Sequence, residues 1–190
     1  ILELTLDALA ACQPREMIVA LNDNDEYFSG LHFDYPVRTV VGGRQRSESV
    51  LNALKTVNAT EDSLVLVHDG VRPCLRFEDI KALVTVLDAH PVGGCLAVPV
   101  RETVKRVNRD DVVATLDRSQ LWLAQTPQVF RFGILKQALT QFPDSTDEAS
   151  AIEQLGLQPR VVQGHSDNIK ITTGEDLVMA EVILKSRGRS

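Results

Sequence analysis

Short apolar runs alternate with apolar stripes of helical spacing over most of the chain. The runs have the length of strands and occupy residues 17–21, 38–41, 64–67 and 95–99. The stripes predict helices at residues 1–11, 50–57, 77–87 and 134–142. The run Leu64-Val-Leu-Val67 is apolar throughout, which is typical of a parallel strand buried on both faces. The alternation predicts an α/β fold with a doubly wound, mostly parallel sheet between two layers of helices.

The pattern changes near residue 100. Residues 103–107 and 112–115 are strand-like and flank the polar group Asn108-Arg-Asp-Asp111, which predicts a β-hairpin that projects as an arm over about residues 102–116. We see no internal repeat and no low-complexity linker. Residues 1–190 are therefore interpreted as a single domain that carries an arm.

Two segments have the spacing of a capping box, in which the side chains of the first and fourth residues bond each other's backbone N–H groups. They are Ser145-Thr-Asp-Glu148 and Thr173-Gly-Glu-Asp176. Each is expected to start a helix, and the second of these helices is expected to end near Lys185.

Composition narrows the class of protein. Hydrophobic residues make up 44% of the chain and charged residues 24%, which is the balance of a soluble globular protein. The net charge of -6 and the lack of a Lys/Arg run argue against a nucleic-acid-binding protein, although a few basic residues can still converge on a phosphate. No apolar run approaches the roughly 20 residues that cross a bilayer.

Three cysteines, Cys12, Cys74 and Cys95, are widely spaced and form no CxxC pair, which argues against a disulfide framework and a zinc site. This usage suits a reducing compartment, so we expect a cytoplasmic protein. The chain starts at Ile1, inside a predicted helix and without a Met. We therefore expect that an N-terminal segment is absent.

Asp69 is the first candidate for chemistry. It follows the apolar run of residues 64–67, and ligands of open α/β sheets bind beyond the carboxyl ends of the strands. A carboxylate there can hold Mg²⁺, which prefers oxygen ligands, and Arg72 can contact a phosphate from the same loop. An Asp that caps a turn and pairs with Arg72 is an equally good interpretation.

Other candidates are weaker when each is taken alone. Gly42-Gly-Arg44 precedes a predicted helix, where glycines and a helix N-terminus favour a bound anion, but an ordinary strand-to-helix turn is the more common case. Residues 167–172 alternate like a strand, which can direct Lys170 into a polar cleft, although a solvated strand lysine is commoner. The same caution applies to Arg118 and Thr126. The four histidines have no metal-ligand spacing and are assigned no catalytic role: His32, His68, His90 and His165.

Taken together, these segments resemble the 2-C-methyl-D-erythritol 4-phosphate cytidylyltransferase family of non-mevalonate isoprenoid biosynthesis. The resemblance runs through residues 42–50, 67–73, 98–106, 117–118, 125–128, 146–150 and 167–172, in the family's order. It implies a nucleotide-diphospho-sugar transferase-like fold and a homodimer in which the β-arm reaches toward the partner. It also implies transfer of CMP from CTP to a polyol phosphate with release of pyrophosphate, aided by Mg²⁺ or another divalent cation.

The resemblance also assigns roles to individual residues. Nucleotide contacts are expected at Gly43, Arg44, Ser49 and Asp69, and Asp69 is also the expected metal ligand. Contacts to the polyol phosphate are expected at Arg72, Thr103, Arg118, Thr126, Thr146 and Lys170, some of them across the dimer interface. Arg118, Lys170 and Asp69 are the expected catalytic group.

The chain departs from the family pattern in two places. The family's glycine-rich N-terminal loop, with its basic residues, lies upstream of Ile1. Arg44 stands where many members carry an acidic residue. Two alternatives remain open, namely a related cytidylyltransferase that acts on ribitol 5-phosphate and a non-catalytic nucleotide-binding protein.

Overall fold

The computed structural model describes residues 1–188. Its helices are α1 (Leu2–Ala10), α2 (Arg46–Thr56), α3 (Phe77–Asp88), α4 (Phe132–Gln141), α5 (Glu148–Gln154) and α6 (Gly174–Ser186). Its strands are β1 (Ile18–Leu21), β2 (Arg38–Val41), β3 (Leu64–Val67), β4 (Gly93–Pro99), β5 (Lys105–Asn108), β6 (Asp111–Thr115), β7 (Trp122–Arg131) and β8 (Arg160–Gln163). The predicted α/β class is confirmed.

The sheets are mixed rather than mostly parallel. Strands β1 and β2 form a parallel pair, and the four-stranded sheet has the order β3-β7-β4-β8. In that sheet β4 and β8 are parallel, whereas β7 runs antiparallel to both of its neighbours. The antiparallel direction arises because β7 returns along the sheet after the chain has left it through the arm.

Strand β7 was not predicted, because polar residues and a proline interrupt its pattern. Gln125, Thr126 and Gln128 are buried, and the Thr126–Pro127 peptide bond is cis. The pairing of β7 with β4 shifts in register opposite this stretch, between Cys95 and Ala97. A proline is tolerated at such an irregularity because it need not donate a ladder hydrogen bond there.

The core lies on both faces of the four-stranded sheet. Alternation along β7 sends Val129 to one face and Phe130 to the other. The first face packs against α3 through Ile80, Leu83 and Leu87, and the second packs against α4 and α5 through Leu135, Leu139 and Ile152. The sheet is thus packed between helices on both faces, which fixes the ends of its strands and the loops that follow them.

Strand β3 is less buried than its sequence predicted. All four of its residues are only partly buried. The reason is that β3 lies at the edge of its sheet in the part of the chain that the structure describes, with β7 as its one neighbour.

One predicted capping box is confirmed and the other begins two residues later than predicted. Thr173 caps α6 together with Asp176. Helix α5 is instead capped by Asp147, with Ser150 as the second member of the box. Glu148 cannot complete a box with Ser145, because its carboxylate points into the protein and binds Arg46.

The predicted arm is confirmed as the hairpin of β5 and β6, with Arg109 in the left-handed region at its turn. Val107, Val112 and Val113 on the arm are exposed by 53–60%. Over residues 1–188, no helix is both long enough and apolar enough to cross a membrane.

Gly94 provides a test of the pairing between β4 and β8. A Cβ atom at this position would overlap the backbone of Arg160 on β8, so Gly94→Ala is expected to lower the free energy of unfolding by roughly 1–3 kcal/mol. Urea unfolding measures the change. Gly30→Ala is the matched control, because a Cβ there meets nothing within 4 Å. Equal stability of the two variants would contradict the observed strand pairing.

Candidate active site

Asp69 lies just beyond the end of β3 and is surrounded by cations. Its Oδ1 atom accepts a hydrogen bond from Arg46 Nε at 3.0 Å, and its Oδ2 atom lies 3.1 Å from Lys170 Nζ and 3.4 Å from Arg72 Nε. The Asp69 side chain is only 11% exposed, while that of Lys170 is 43% exposed. We call these four residues, together with Glu148, the Asp69 cluster.

The charges of the cluster determine the protonation of Asp69. Burial raises the pKa of Asp69, but the charge and hydrogen bond of Arg46, followed by those of Lys170, outweigh it. The pKa therefore lies below its ordinary value, and Asp69 is ionised near neutral pH. Lys170 and Arg72 are thus held by a fixed negative charge.

A chain of hydrogen bonds fixes the backbone on which Asp69 stands. The Asp69 N–H donates to Thr126 Oγ1 at 3.0 Å, and Thr126 Oγ1 lies 3.0 Å from His68 Nδ1. His68 Nε2 is 3.2 Å from the carbonyl oxygen of Arg72, which can only accept. The ring proton is therefore on Nε2, and the Thr126 hydroxyl donates to Nδ1.

The loop that carries Lys170 is anchored beside this chain. Asn168 is fully buried, and its side-chain Nδ2 donates to the backbone carbonyl oxygen of Thr126 at 2.8 Å. The backbone carbonyl oxygen of Asn168 accepts from Arg72 Nη1, also at 2.8 Å. Residues 167–172 form no ladder, so the strand predicted there is wrong. Ile169 and Ile171 nevertheless pack inward, and Lys170 between them points to Asp69.

Glu148 is the second carboxylate of the cluster. Its side chain has 0% exposure and accepts two hydrogen bonds from Arg46, at 2.6 and 2.9 Å. Gln128 holds the start of α5 in place, because Nε2 donates to Asp147 and Oε1 accepts from the N–H of Ala149, both at 2.8 Å.

The glycine turn before α2 is compact. The N–H of Gly43 donates to Ser49 Oγ at 2.9 Å, and the N–H of Arg44 donates to Glu48 Oε2 at 2.7 Å. A Cβ at Gly43 would overlap the Glu48 side chain, so only glycine allows this close approach. The turn leads directly to Arg46, the first residue of α2, and so lies next to the Asp69 cluster.

The structure brings some of the predicted site residues together and leaves others apart. Asp69, Arg72, Thr126 and Lys170 share one network, while Thr146 is exposed next to the cap of α5. Arg118 and Thr103 are exposed, and Arg118 donates to the carbonyl oxygen of Arg101 at the base of the arm. Within residues 1–188, no hydrogen bond or ion pair joins these two residues to the Asp69 cluster. Their predicted roles stay predictions.

Four members of this network were not predicted from the sequence, namely Arg46, Glu148, Gln128 and Asn168. Arg46 and Glu148 lie inside matching motif blocks, but they are 102 positions apart and no periodicity links them. No sequence signal was available for Gln128, because its burial depends on strand β7, whose pattern is interrupted by polar residues and Pro127.

The residues near Asp69 limit how a divalent cation can be held. No group of three or more His, Cys, Asp or Glu side chains in the described part of the chain is placed to bind a metal ion. Asp69 offers one carboxylate, whose oxygens already contact Arg46, Lys170 and Arg72. Glu148 is enclosed by its bonds to Arg46. This donor set suits Mg²⁺ only when most of its ligands come from a bound nucleotide, as is common for that ion.

Comparison with known proteins gives one consistent match. A family model described as "IspD: 2-C-methyl-D-erythritol 4-phosphate cytidylyltransferase" matches residues 1–186. A protein of that name from Chromobacterium violaceum is 45% identical over 177 residues, which cover 90% of this chain and 79% of the relative. Another from Hahella chejuensis is 47% identical over 195 residues, covering 97% of this chain and 81% of the relative.

Solved structures agree with this match. A crystal structure of 4-diphosphocytidyl-2C-methyl-D-erythritol synthase superposes with a TM-score of 0.89 at 36% identity, covering 96% of this chain and 89% of that chain. The 2-C-methyl-D-erythritol 4-phosphate cytidylyltransferase of Francisella tularensis gives a TM-score of 0.85 at 37% identity, covering 97% of this chain and 88% of that chain. The fold is shared over nearly the whole chain.

The protonation of His68 gives a test of the site's geometry. Burial lowers the pKa of His68 to about 4. The unfolded chain, with a pKa near 6.5, therefore binds more protons between these values, and stability falls as the pH drops from about 6.5 to 4. The loss from this group is at most about 3 kcal/mol. We expect His68→Gln to lose less stability than the wild type over this range, as measured by urea unfolding at several pH values.

The exposed His32 supplies the control for this experiment. His32→Gln makes the same substitution at an exposed position outside the Asp69 cluster. If the stability of His68→Gln depended on pH as that of the wild type does, the result would contradict a neutral His68 ring in the folded protein.

Proposed function

The chain belongs to the 2-C-methyl-D-erythritol 4-phosphate cytidylyltransferase family, and from this premise we propose that it transfers CMP from CTP to 2-C-methyl-D-erythritol 4-phosphate. The products are the CDP-alcohol and pyrophosphate, in non-mevalonate isoprenoid precursor biosynthesis. The observation that supports this most directly is the convergence of Arg72 and Lys170 on Asp69 at the end of β3.

The charge of the Asp69 cluster suits a phosphorylated substrate. Three cations face two carboxylates, so the cluster carries one net positive charge. Arg46 is bonded to Glu148 through both terminal nitrogens and to Asp69 Oδ1 through Nε, whereas Lys170 and Arg72 both lie against Oδ2 of Asp69. Lys170 is the more exposed of the two, and we propose that it contacts the phosphate of the alcohol.

The chemistry requires positioning more than proton transfer. A phosphate monoester oxygen is already anionic near neutral pH, so it forms its bond to the α-phosphorus of CTP without a general base. The bond from the α-phosphorus to the bridging oxygen breaks, and pyrophosphate leaves with the electron pair. The protein must align the two phosphates and balance their charge, which is what fixed cations such as Lys170 and Arg72 provide.

We propose that CTP lies along the glycine turn, near Gly43, Arg44 and Ser49, with its phosphates directed toward Asp69. Mg²⁺ bound there would neutralise charge on the nucleotide phosphates, with Asp69 as its protein ligand. The contribution of the chain itself is a compact turn that brings backbone close to the nucleotide and a carboxylate that stays ionised.

Arg118 and Thr103 fit this proposal only if the site is shared between two chains. Both residues lie at the arm, and in the described residues neither bonds to the Asp69 cluster of its own chain. We propose a homodimer in which the arm carries them toward the partner's site. The exposed valines of the arm supply apolar area for such an interface. A cytoplasmic location remains a prediction of the cysteine usage.

The proposed activity is tested by pyrophosphate release from CTP in the full-length protein, with 2-C-methyl-D-erythritol 4-phosphate and ribitol 5-phosphate assayed side by side. We expect faster release with the first substrate. Faster release with ribitol 5-phosphate would support the alternative cytidylyltransferase, and CTP binding without any release would support a non-catalytic protein.

In the same assay, Lys170→Ala is expected to lower kcat/KM for the alcohol phosphate by about 100-fold or more, because a cation that balances phosphate charge is lost. Lys185→Ala is the matched control, since Lys185 pairs with Glu181 on the surface of α6. Unchanged kinetics at Lys170 would refute its proposed role.

The proposed dimer is tested on the arm. Val107 and Val112 are directly opposed in the hairpin and 55% and 60% exposed, so Val107→Asp with Val112→Asp places two charges on one apolar face. We expect the double variant to sediment with the mass of one chain, while the wild type sediments as two. Val178→Asp, at a 62% exposed position on α6, controls for surface charge. A dimeric double variant would contradict an interface at this face.

A further inference from the structure

Arg46 bonds both carboxylates of the Asp69 cluster and so connects three parts of the fold. Its Nε donates to Asp69 Oδ1 at 3.0 Å, and its two terminal nitrogens donate to Glu148 at 2.6 and 2.9 Å. The planar guanidinium group holds its donors in a rigid fork that matches carboxylates. The start of α2, the end of β3 and the start of α5 are therefore fixed relative to one another.

The position of Arg46 is unfavourable for its own helix. Arg46 is the first residue of α2, where the positive end of the helix dipole disfavours a cation. Glu148 is the first residue of α5, where a carboxylate is favoured. The preference of a helix N-terminus for negative charge thus explains a glutamate at position 148 but not an arginine at position 46. Residues that break a local rule are commonly found at functional sites.

Arg46 rests on a rigid support. Glu148 has no exposed side-chain surface, and an unpaired carboxylate there would be strongly destabilising. Gln128 binds the cap of α5 to β7, so the support of Glu148 is itself anchored in the sheet. Asp69, at the end of β3 and beside the exposed Lys170, is the less enclosed partner of Arg46.

We propose that Arg46 is a positioning residue, which rests on Glu148 and orients Asp69 so that Lys170 and Arg72 meet the phosphate of the alcohol substrate. By occupying Oδ1 of Asp69, Arg46 leaves Oδ2 to Lys170 and Arg72. This inference rests on the proposed function of the site, and it assigns to Arg46 an effect that passes through Asp69.

The first variant is Arg46→Lys, which keeps the positive charge but cannot bond two carboxylates through a fork. We expect kcat/KM for the alcohol phosphate to fall by about 10- to 100-fold through misplacement of Asp69. Arg38→Lys is the matched control, because Arg38 pairs with Glu16 at 2.8 Å outside the cluster. Full activity of Arg46→Lys overturns the proposal.

The second measurement is a double-mutant cycle with Asp69→Asn. If Arg46 acts through Asp69, Arg46→Lys has almost no further effect on kcat/KM once Asp69 is changed. A merely structural role would lower activity by the same factor in both backgrounds, and that result overturns the proposal. If Arg46→Lys fails to fold, Glu148→Gln takes its place, because it keeps the shape of the buried side chain. We expect Glu148→Gln to lower kcat/KM to the same extent.

Binding of inorganic phosphate separates failure of this inference from failure of the proposed function. If the wild type releases no pyrophosphate with any alcohol phosphate, the proposed function has failed. Calorimetric titration with inorganic phosphate then decides the role of Arg46. Weaker binding by Arg46→Lys than by Arg38→Lys supports positioning of the cations, and equal binding overturns it.

Discussion

A carboxylate can stay ionised in a largely buried position only when cations compensate for its lost hydration, and Asp69 meets this condition at the end of β3. Arg46, Arg72 and Lys170 provide the compensation, and each comes from a different segment of the chain. The requirement therefore links three segments that the packing of the fold brings together. The same requirement leaves the cluster with a net positive charge, which is the property that a phosphate-binding site needs.

The framework around Asp69 is held mainly by hydrogen bonds of buried polar side chains. Thr126 links the backbone of Asp69 to the His68 ring, and Asn168 ties the Lys170 loop to β7. Gln128 does the same for the cap of α5. Hydrogen bonds between buried polar groups of this kind rigidify a site, because each bond would be costly to break. Catalysis by positioning depends on such rigidity.

Sequence patterns predicted the elements that have a simple period. Helix α3, strand β4 and the arm all lie where their periodicity placed them, since helices and half-buried strands leave a direct trace in the spacing of apolar residues. Strand β7 left no such trace. Its central residues are polar and buried, and Pro127 interrupts the run, so its antiparallel direction and its role between β3 and β4 could not be foreseen.

The amino-acid sequence by itself determined the α/β class, the hairpin arm, the cap of α6 and, through its motif blocks, the family and most of the candidate residues. The tertiary structure alone decided which of these residues meet. Arg46 and Glu148 are 102 positions apart, and Lys170 reaches Asp69 from a loop that forms no strand. Periodicity and capping act over a few residues, whereas the pairing of buried charges depends on how distant elements pack, and only the folded chain specifies that.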